Sequence, residues 1–283
     1  RSHSLAFRQV IEMIISALVE NRSDDPKLGC QHGLSLYIET GTHKLLFDTG
    51  AGEMFAENAE RMGIDLSKVD IAVISHGHSD HGGGLRKFIQ VNGKAKIYVN
   101  RKAFQDHYAS RPGGEVAYIG LDKELIDEGR FVYVDASYRI DDGLWLFSDV
   151  KAGRLNPSGN DSLLMKRGEE MVRDDFSHEQ NLVVKEEGRT VLLAGCAHKG
   201  IVNIIEKYKR ETGGFPDVVI GGFHLYNKSN DTCESPVIVA EIARELLATG
   251  SKCFTCHCTG EEAYRQLKDM MGVRIDYLST GNR

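Results

Sequence analysis

The stretch "IAVISHGHSDHGGGLRKFI", residues 71–89, decides how this chain is read. Its opening apolar run reads as a buried strand, and four side chains able to bind metal, His76, His78, Asp80 and His81, follow within six positions. His76 and His78 flank Gly77, so on an extended segment they point to the same side. Gly82, Gly83 and Gly84 then allow a tight turn and close approach of backbone to a ligand before a helix begins. Imidazole and carboxylate suit zinc and are acceptable to iron or manganese. A single histidine in a turn is commonly just solvated; this cluster at one strand end specifies a metal role.

The same punctuation recurs downstream. "TVLLAGCAHKG" ends a strand in Cys196 and His198, "DVVIGGFHLYN" ends one in His224, and "CFTCHCTG" sets His257 ahead of a helix. Strand ends on one rim of an α/β sheet converge, so these side chains can share a cleft although far apart in sequence. Seven candidates, His76, His78, Asp80, His81, His198, His224 and His257, exceed what one tetrahedral ion accepts. Two divalent metal ions are expected, zinc first, with iron or manganese as alternatives.

The balance of 35 Lys plus Arg against 41 Asp plus Glu, a formal charge of −6, argues against broad attraction to nucleic acid or an anionic membrane and favours a small-molecule substrate. The segment "SLAFRQVIEMIISALVE" is broken by Arg8, Gln9 and Glu12, so neither a membrane span nor a secretory leader is expected there. "RSHS" at the start reads as a cloning remnant, and His3 is left out of the chemistry. Six cysteines, at 30, 196, 233, 253, 256 and 258, lack the density of a disulfide scaffold, which points to the cytoplasm. Cys253, Cys256 and Cys258 lack the second knuckle that a separate structural zinc site needs. Nothing in the sequence speaks to oligomeric state.

Strands are expected at 33–39, 44–47, 95–100, 131–136, 144–150, 181–186, 190–195, 217–222 and 274–280, besides the one before His76. Helical periodicity falls at 51–66, 200–211, 235–248 and 260–272. Apolar strands in this number need both sheet faces covered, which gives a layered α/β fold. The chain 1–283 reads as a single domain, with the polar stretch 151–178 as a long loop, a candidate lid or insertion. Glu179 and Gln180 behind it read either as a solvated turn or as a polar wall of the cleft.

The motif "HGHSDH", 76–81, matches H-x-H-x-D-H, and Asp48 in "LLFDTG" matches the aspartate that precedes it; on these the chain resembles the metallo-β-lactamase-fold superfamily. The resemblance implies a four-layer αβ/βα sandwich. More narrowly, "HGLSLYIETGTHKLLFDTG", "SHGHSDHGGG", "GCAHKGIVNII", "GGFHL" and "HCTG" look like the branch labelled dihydropterin ribofuranosyl-aminobenzene 5'-phosphate synthase. By that resemblance His76, His78 and His198 hold one metal, and Asp80, His81 and His257 the other. The bridging aspartate that the superfamily expects after a strand-end glycine has no clean match; Cys196 follows Gly195 at such a point. Cys196 is thus a candidate soft ligand, and His224 a ligand or a substrate contact. Asp48 is expected to accept a hydrogen bond from a ligating imidazole and fix its tautomer.

The implied chemistry is hydrolysis of a small phosphoester, ester or lactone by metal-activated water, with Asp80 orienting the nucleophile and His224 or a metal stabilising developing charge. Three alternatives stay open. A synthase acting on a pterin ribofuranosyl-aminobenzene phosphate needs an aromatic pocket, to which Tyr37, Phe223 and Tyr226 are candidates. A di-iron redox enzyme prefers more carboxylate ligands than a site containing His78 offers. A metal-dependent binding module would hold the ions without turnover.

Overall fold

The computed structural model describes residues 13–283, so Arg8, Gln9, Glu12 and His3 lie outside the described residues. Two sheets face each other. One is six-stranded, in the order Ile14–Val19, Ser35–Glu39, Lys44–Phe47, Ile71–Ile74, Lys96–Asn100 and Phe131–Val134. The other is seven-stranded: Ile275–Tyr277, Lys252–Thr255, Val218–Gly221, Arg189–Leu193, Asn181–Glu186, Leu144–Phe147 and Tyr138–Arg139.

Side-chain alternation along the strands builds three apolar layers from these two sheets. Leu36, Ile38, Leu45, Phe47 and Val73 meet Leu182, Val184, Leu193 and Ile220 between the sheets. The intervening residues face outward. Leu46, Ala72 and Ile97 pack under the helices Met54–Arg61 and Leu85–Val91, while Val183, Leu192, Val219 and Cys253 pack under Ile201–Thr212, Pro236–Thr249 and Glu261–Met271. The result is the expected four-layer αβ/βα sandwich, an arrangement that covers both faces of each sheet.

In each sheet the later strands run parallel, Lys44–Phe47 through Phe131–Val134 in one and Arg189–Leu193 through Ile275–Tyr277 in the other. Parallel strands discharge at a common rim, and the candidate ligands follow their C-terminal ends.

Several elements depart from the sequence reading. The helix expected at 51–66 stops at Arg61, because Gly63 adopts φ +71°, and Leu66–Lys68 forms a separate short turn capped by Asp65. Ile14–Val19, unassigned by pattern, is an edge strand. Residues 151–178 are not one long loop: Leu163–Arg167 and Glu170–Arg173 form a hairpin within a four-stranded antiparallel sheet with His107–Ser110 and Val116–Tyr118. Its strands are half-exposed, so the apolar alternation that marks a strand is weak there. Among the described residues no helix is long and apolar enough to cross a membrane.

Candidate metal centre

Asp48 follows strand Lys44–Phe47, His76 follows Ile71–Ile74, Cys196 and His198 follow Arg189–Leu193, His224 follows Val218–Gly221, and His257 follows Lys252–Thr255. The chain turns sharply at these exits. Asp48, Ala197, His224 and His257 all adopt left-handed backbone, with φ of 60°, 53°, 51° and 48°. Such conformations are unfavourable for residues with a Cβ and collect where function over-determines them. Glycine supplies the close approach: a Cβ at Gly195 would lie 2.1 Å from Ser75 Oγ and 3.1 Å from His76 Nδ1, so the two sheets' exits could not meet there with any larger residue.

Four imidazoles are gripped at Nδ1. His81 Nδ1 lies 2.6 Å from Asp48 Oδ2, and that carboxylate also accepts from Ser75 N and Ser75 Oγ, each at 2.7 Å. Since Ser75 Oγ donates to Asp48, it accepts from His76 Nδ1 at 2.8 Å. Asn160 accepts from His198 Nδ1 at 3.0 Å while its amide nitrogen donates to the carbonyl of the same histidine at 2.7 Å. Asn21 repeats the device on His257, with 2.7 Å to Nδ1 and 3.0 Å to the carbonyl. The two-point contact fixes the amide's orientation and therefore the tautomer. In every case Nδ1 carries the proton and Nε2 turns inward.

The inward atoms face each other. His76 Nε2 and His198 Nε2 are 3.3 Å apart, and His81 Nε2 and His257 Nε2 are 3.2 Å apart. Burial, reinforced by neighbouring imidazoles, pushes His76 and His198 well below their ordinary pKa, so each is neutral and the 3.3 Å contact opposes two lone pairs. Such a pair calls for a cation between them. At the second pair burial alone would lower His81, but Asp80 and Asp48 hold it up at about 9, so this spot too attracts positive charge. The donor set fits divalent metal ions: His76, His78 and His198 form one group, and Asp80, His81, Cys196 and His257 another, each with ligand atoms within 4.8 Å of one another.

Asp80 Oδ2 reaches His257 Nε2 at 3.2 Å, His32 Nε2 at 3.3 Å and His81 Nε2 at 3.6 Å. Burial would raise its pKa, yet His81, His257 and His32 hold it well below the usual carboxylate range. Cys196 Sγ is 3.0 Å from His81 Nε2 and also groups with His198 and His224, so it lies between the two ligand sets where the sequence offers no aspartate. His224 is half-buried and stacks edge-on to His198 at 4.3 Å. A cavity of about 560 Å³ opens over the centre, lined among others by His32, His78, Asp80, Cys196, His198, His224, Tyr226, Arg111 and Lys228.

Other candidates fall elsewhere. Tyr37 packs under the helices and Phe223 lies in the opposite helical layer, leaving Tyr226 alone of the three aromatics on the cavity. Cys253 and Cys256 sit in different apolar layers and share no ligand group among the described residues. Glu179 and Gln180 are buried and brace the rim. Glu179 accepts from the backbone of His198 at 2.6 Å and Lys199 at 3.1 Å, with its carboxyl pushed up to about 7 by burial; Gln180 Nε2 donates to the carbonyls of Ile74 and Tyr98.

Sequence reasoning missed His32, Asn21, Asn160 and a buried group made of His78, His107, Asp174 and His178. His107 Nδ1 lies 2.8 Å from Asp174 Oδ2, and His178 Nε2 lies 3.2 Å from both Asp174 oxygens. Asp174 and His178 belong to the stretch taken for a loop, and no spacing links them to His107. The "HG" at 32–33, so like the "HGH" at 76–78, was the available signal for His32.

Residues 28–222 match the family described as the metallo-beta-lactamase superfamily. A curated relative, the uncharacterized protein MJ0448 of Methanocaldococcus jannaschii, is 29% identical over 266 residues, spanning 91% of this chain and 94% of that protein. The 7,8-dihydropterin-6-methyl-4-(beta-D-ribofuranosyl)-aminobenzene-5'-phosphate synthase of the same organism is 27% identical over 267 residues, 89% of this chain and 88% of that one. Among solved structures, Tm1679, described as a metal-dependent hydrolase of the beta-lactamase superfamily, superimposes with a TM-score of 0.80 at 28% identity, covering 96% of this chain and 98% of that one. With its sandwich architecture, its strand-end ligand groups and a family match over most of its length, the chain belongs to the metallo-beta-lactamase superfamily.

Proposed function

We propose that this enzyme is a binuclear metal-dependent hydrolase of a small anionic substrate, a phosphoester first and a carboxylic ester or lactone second. His76, His78 and His198 would hold one ion and Asp80, His81 and His257 the other, with Cys196 lying between the two sets of side chains. The observation that carries the reading is the buried opposition of His76 Nε2 and His198 Nε2 at 3.3 Å, both neutral, beside a second acid-flanked pair. When bound, two divalent ions supply Lewis acidity and a water nucleophile at neutral pH.

The chain's own residues divide the remaining work. Asp80, partly exposed and ionised, accepts a hydrogen bond from the attacking water and holds it in line. His224 lines the cavity beside His198, and a ring N–H there would donate to the oxygen on which charge develops. Arg111 and Lys228 line the cavity, which favours an anionic group on the part of the substrate that does not react. The whole chain works as one domain, with the segment 151–178 covering the cleft: Gly159, Ser162 and Leu163 reach the cavity from it.

The synthase reading draws on the relative of that name. Against it, a pterin ring would find only Tyr226 of the three candidate aromatics on the cavity wall. Chelator-stripped and metal-reconstituted protein compared on phosphomonoester, phosphodiester, ester and lactone substrates tests the proposal. Turnover of a phosphoester by reconstituted protein alone, with about two metal equivalents per chain, supports it. Bound iron with an oxygen-dependent optical spectrum would replace it with a redox centre. Full metal occupancy without turnover on any substrate would leave a binding module.

A further inference from the structure

Beyond the strand Val218–Gly221 and His224 the chain forms a small hairpin, Tyr226–Asn227 paired with Thr232–Cys233, and Lys228 opens its loop. The base of the hairpin is closely seated, since a Cβ on Gly260 would lie 2.5 Å from Tyr226 Cβ. Tyr226 Oη donates to Asp231 Oδ1 across the loop at 2.8 Å. Tyr226, Lys228 and Ser229 all line the cavity that opens over Asp80 and His198.

Asn227 braces this hairpin against another wall of the cavity. The residue is buried, and its Nδ2 donates to the carbonyl of Gly159 at 3.1 Å and to Ser162 Oγ at 2.8 Å, while Oδ1 accepts from the N–H of Ser229 at 2.9 Å. Just past the hairpin Glu234 Oε2 accepts from the N–H of Ser158 at 2.8 Å, so the turn Ser158–Ser162 is tied to both ends of the hairpin. A buried carboxamide is costly unless it is satisfied. What these bonds fix together is the backbone on either side of Lys228, because Asn227 precedes it and Ser229 follows it.

The other cation on the cavity, Arg111, is mounted differently. It opens the tip of the hairpin His107–Ser110 and Val116–Tyr118, where Gly113 and Gly114 adopt φ of 91° and 84° and an added Cβ would meet nothing within 4 Å. A cation whose backbone is fixed beforehand loses less freedom on taking up an anion, so the braced Lys228 discriminates better than Arg111 on its open tip.

We infer that Lys228 is the specificity-determining residue of the cleft, binding a second anionic group remote from the reacting ester, and that Asn227 is the positioning residue that holds Lys228 over the cavity. The inference rests on the proposed hydrolysis and narrows its substrate to a phosphoester that carries a separate carboxylate or phosphate.

Three phosphodiesters with one leaving group test this on the zinc-loaded full chain: methyl p-nitrophenyl phosphate and its 2-carboxyethyl and 2-phosphonooxyethyl counterparts. Wild type is expected to prefer a charged ester in kcat/KM, chiefly through KM, and the better of the two tells carboxylate from phosphate. Lys228→Gln is expected to cut that preference about 5- to 10-fold, the scale of one partly exposed charge-assisted contact. Lys228→Arg should keep most of it, and Arg111→Gln should cost less than about twofold. Asn227→Ala is expected to cut the preference about 3- to 5-fold, with little further loss when combined with Lys228→Gln, because both remove the same contact. Additive losses, or a preference that follows Arg111 instead, overturn the inference. Should Asn227→Ala fail to fold, Ser162→Ala, which removes only the 2.8 Å contact, takes its place, and an unchanged preference there overturns the role of Asn227. Wild type that hydrolyses all three esters equally sinks this inference alone, whereas zinc-loaded wild type that hydrolyses none brings down the parent proposal with it.

Discussion

Asn160 and Asn21 perform the same task on different imidazoles, and that symmetry yields a paired prediction. Asn160→Ala removes the contacts to His198 Nδ1 at 3.0 Å and to its carbonyl at 2.7 Å. The freed ring then has two tautomers and two flipped orientations, four arrangements of which one suits the metal, an entropic loss of about 0.8 kcal/mol. The lost hydrogen bond adds about 1 kcal/mol. Together these weaken metal capture by roughly 20-fold, inside the range found when outer partners of ligands are removed. Asn21→Ala removes contacts of 2.7 Å and 3.0 Å on His257 and should have the same effect at the other ion. Titration of stripped protein with zinc against a chromophoric chelator resolves two stepwise affinities. Each variant should lose a different step and keep the other within about threefold of wild type, and the double variant should lose both. If both variants weaken the same step, or if Asn160→Ala binds as wild type does, the clamp argument is refuted.

Asp80→Asn keeps the side chain's size and removes its charge, so the folded variant should retain roughly one metal and lose hydrolytic rate by at least about 100-fold; full metal content with unchanged turnover would take Asp80 out of the mechanism. Gly77→Ala brings a Cβ to 2.4 Å from the Ala103 carbonyl and 2.9 Å from His107 Cδ2, so denaturant unfolding should show a loss of about 1–3 kcal/mol, and an unchanged midpoint would mean the backbone there yields freely. At the opposite rim, His43 joins Asp70 at 2.8 Å to Asp141 at 2.7 Å; burial lowers its pKa, but those two carboxylates outweigh it and the net shift is upward from 6.5. A raised folded pKa contributes stability that is complete below 6.5 and is lost as pH rises through the folded value, so wild type should lose stability relative to His43→Gln as the pH climbs above about 6.5. Parallel stability curves for the two proteins across that window would show that the bridge contributes nothing.

What was legible in the sequence was whatever rests on local periodicity. Leu45, Leu46 and Phe47 or Ala72, Val73 and Ile74 are apolar on both faces because both faces are covered, and such runs announce buried parallel strands without any knowledge of their neighbours. His76, His78, Asp80 and His81 were legible for the same reason: their spacing is itself the motif. Asp48, which holds His81 at Nδ1, was legible through the family resemblance, but the residues that orient His198 and His257 were not. Asn160 serves His198 across 38 positions, Asn21 serves His257 across 236, and Asp174 lies 67 from His107, so nothing along the chain couples them. The hairpin that carries Asp174 was hidden as well, since Lys166, Arg167, Glu170 and Met171 are exposed and blur the alternation of a strand. A ligand can therefore be found by its own chemistry, whereas its tautomer is decided by a partner that only the fold brings near. In this chain that second set of residues governs which nitrogen each imidazole offers. Exchanging Asn160 or Asn21 would thus alter the metal centre while leaving every residue of the recognisable motif untouched.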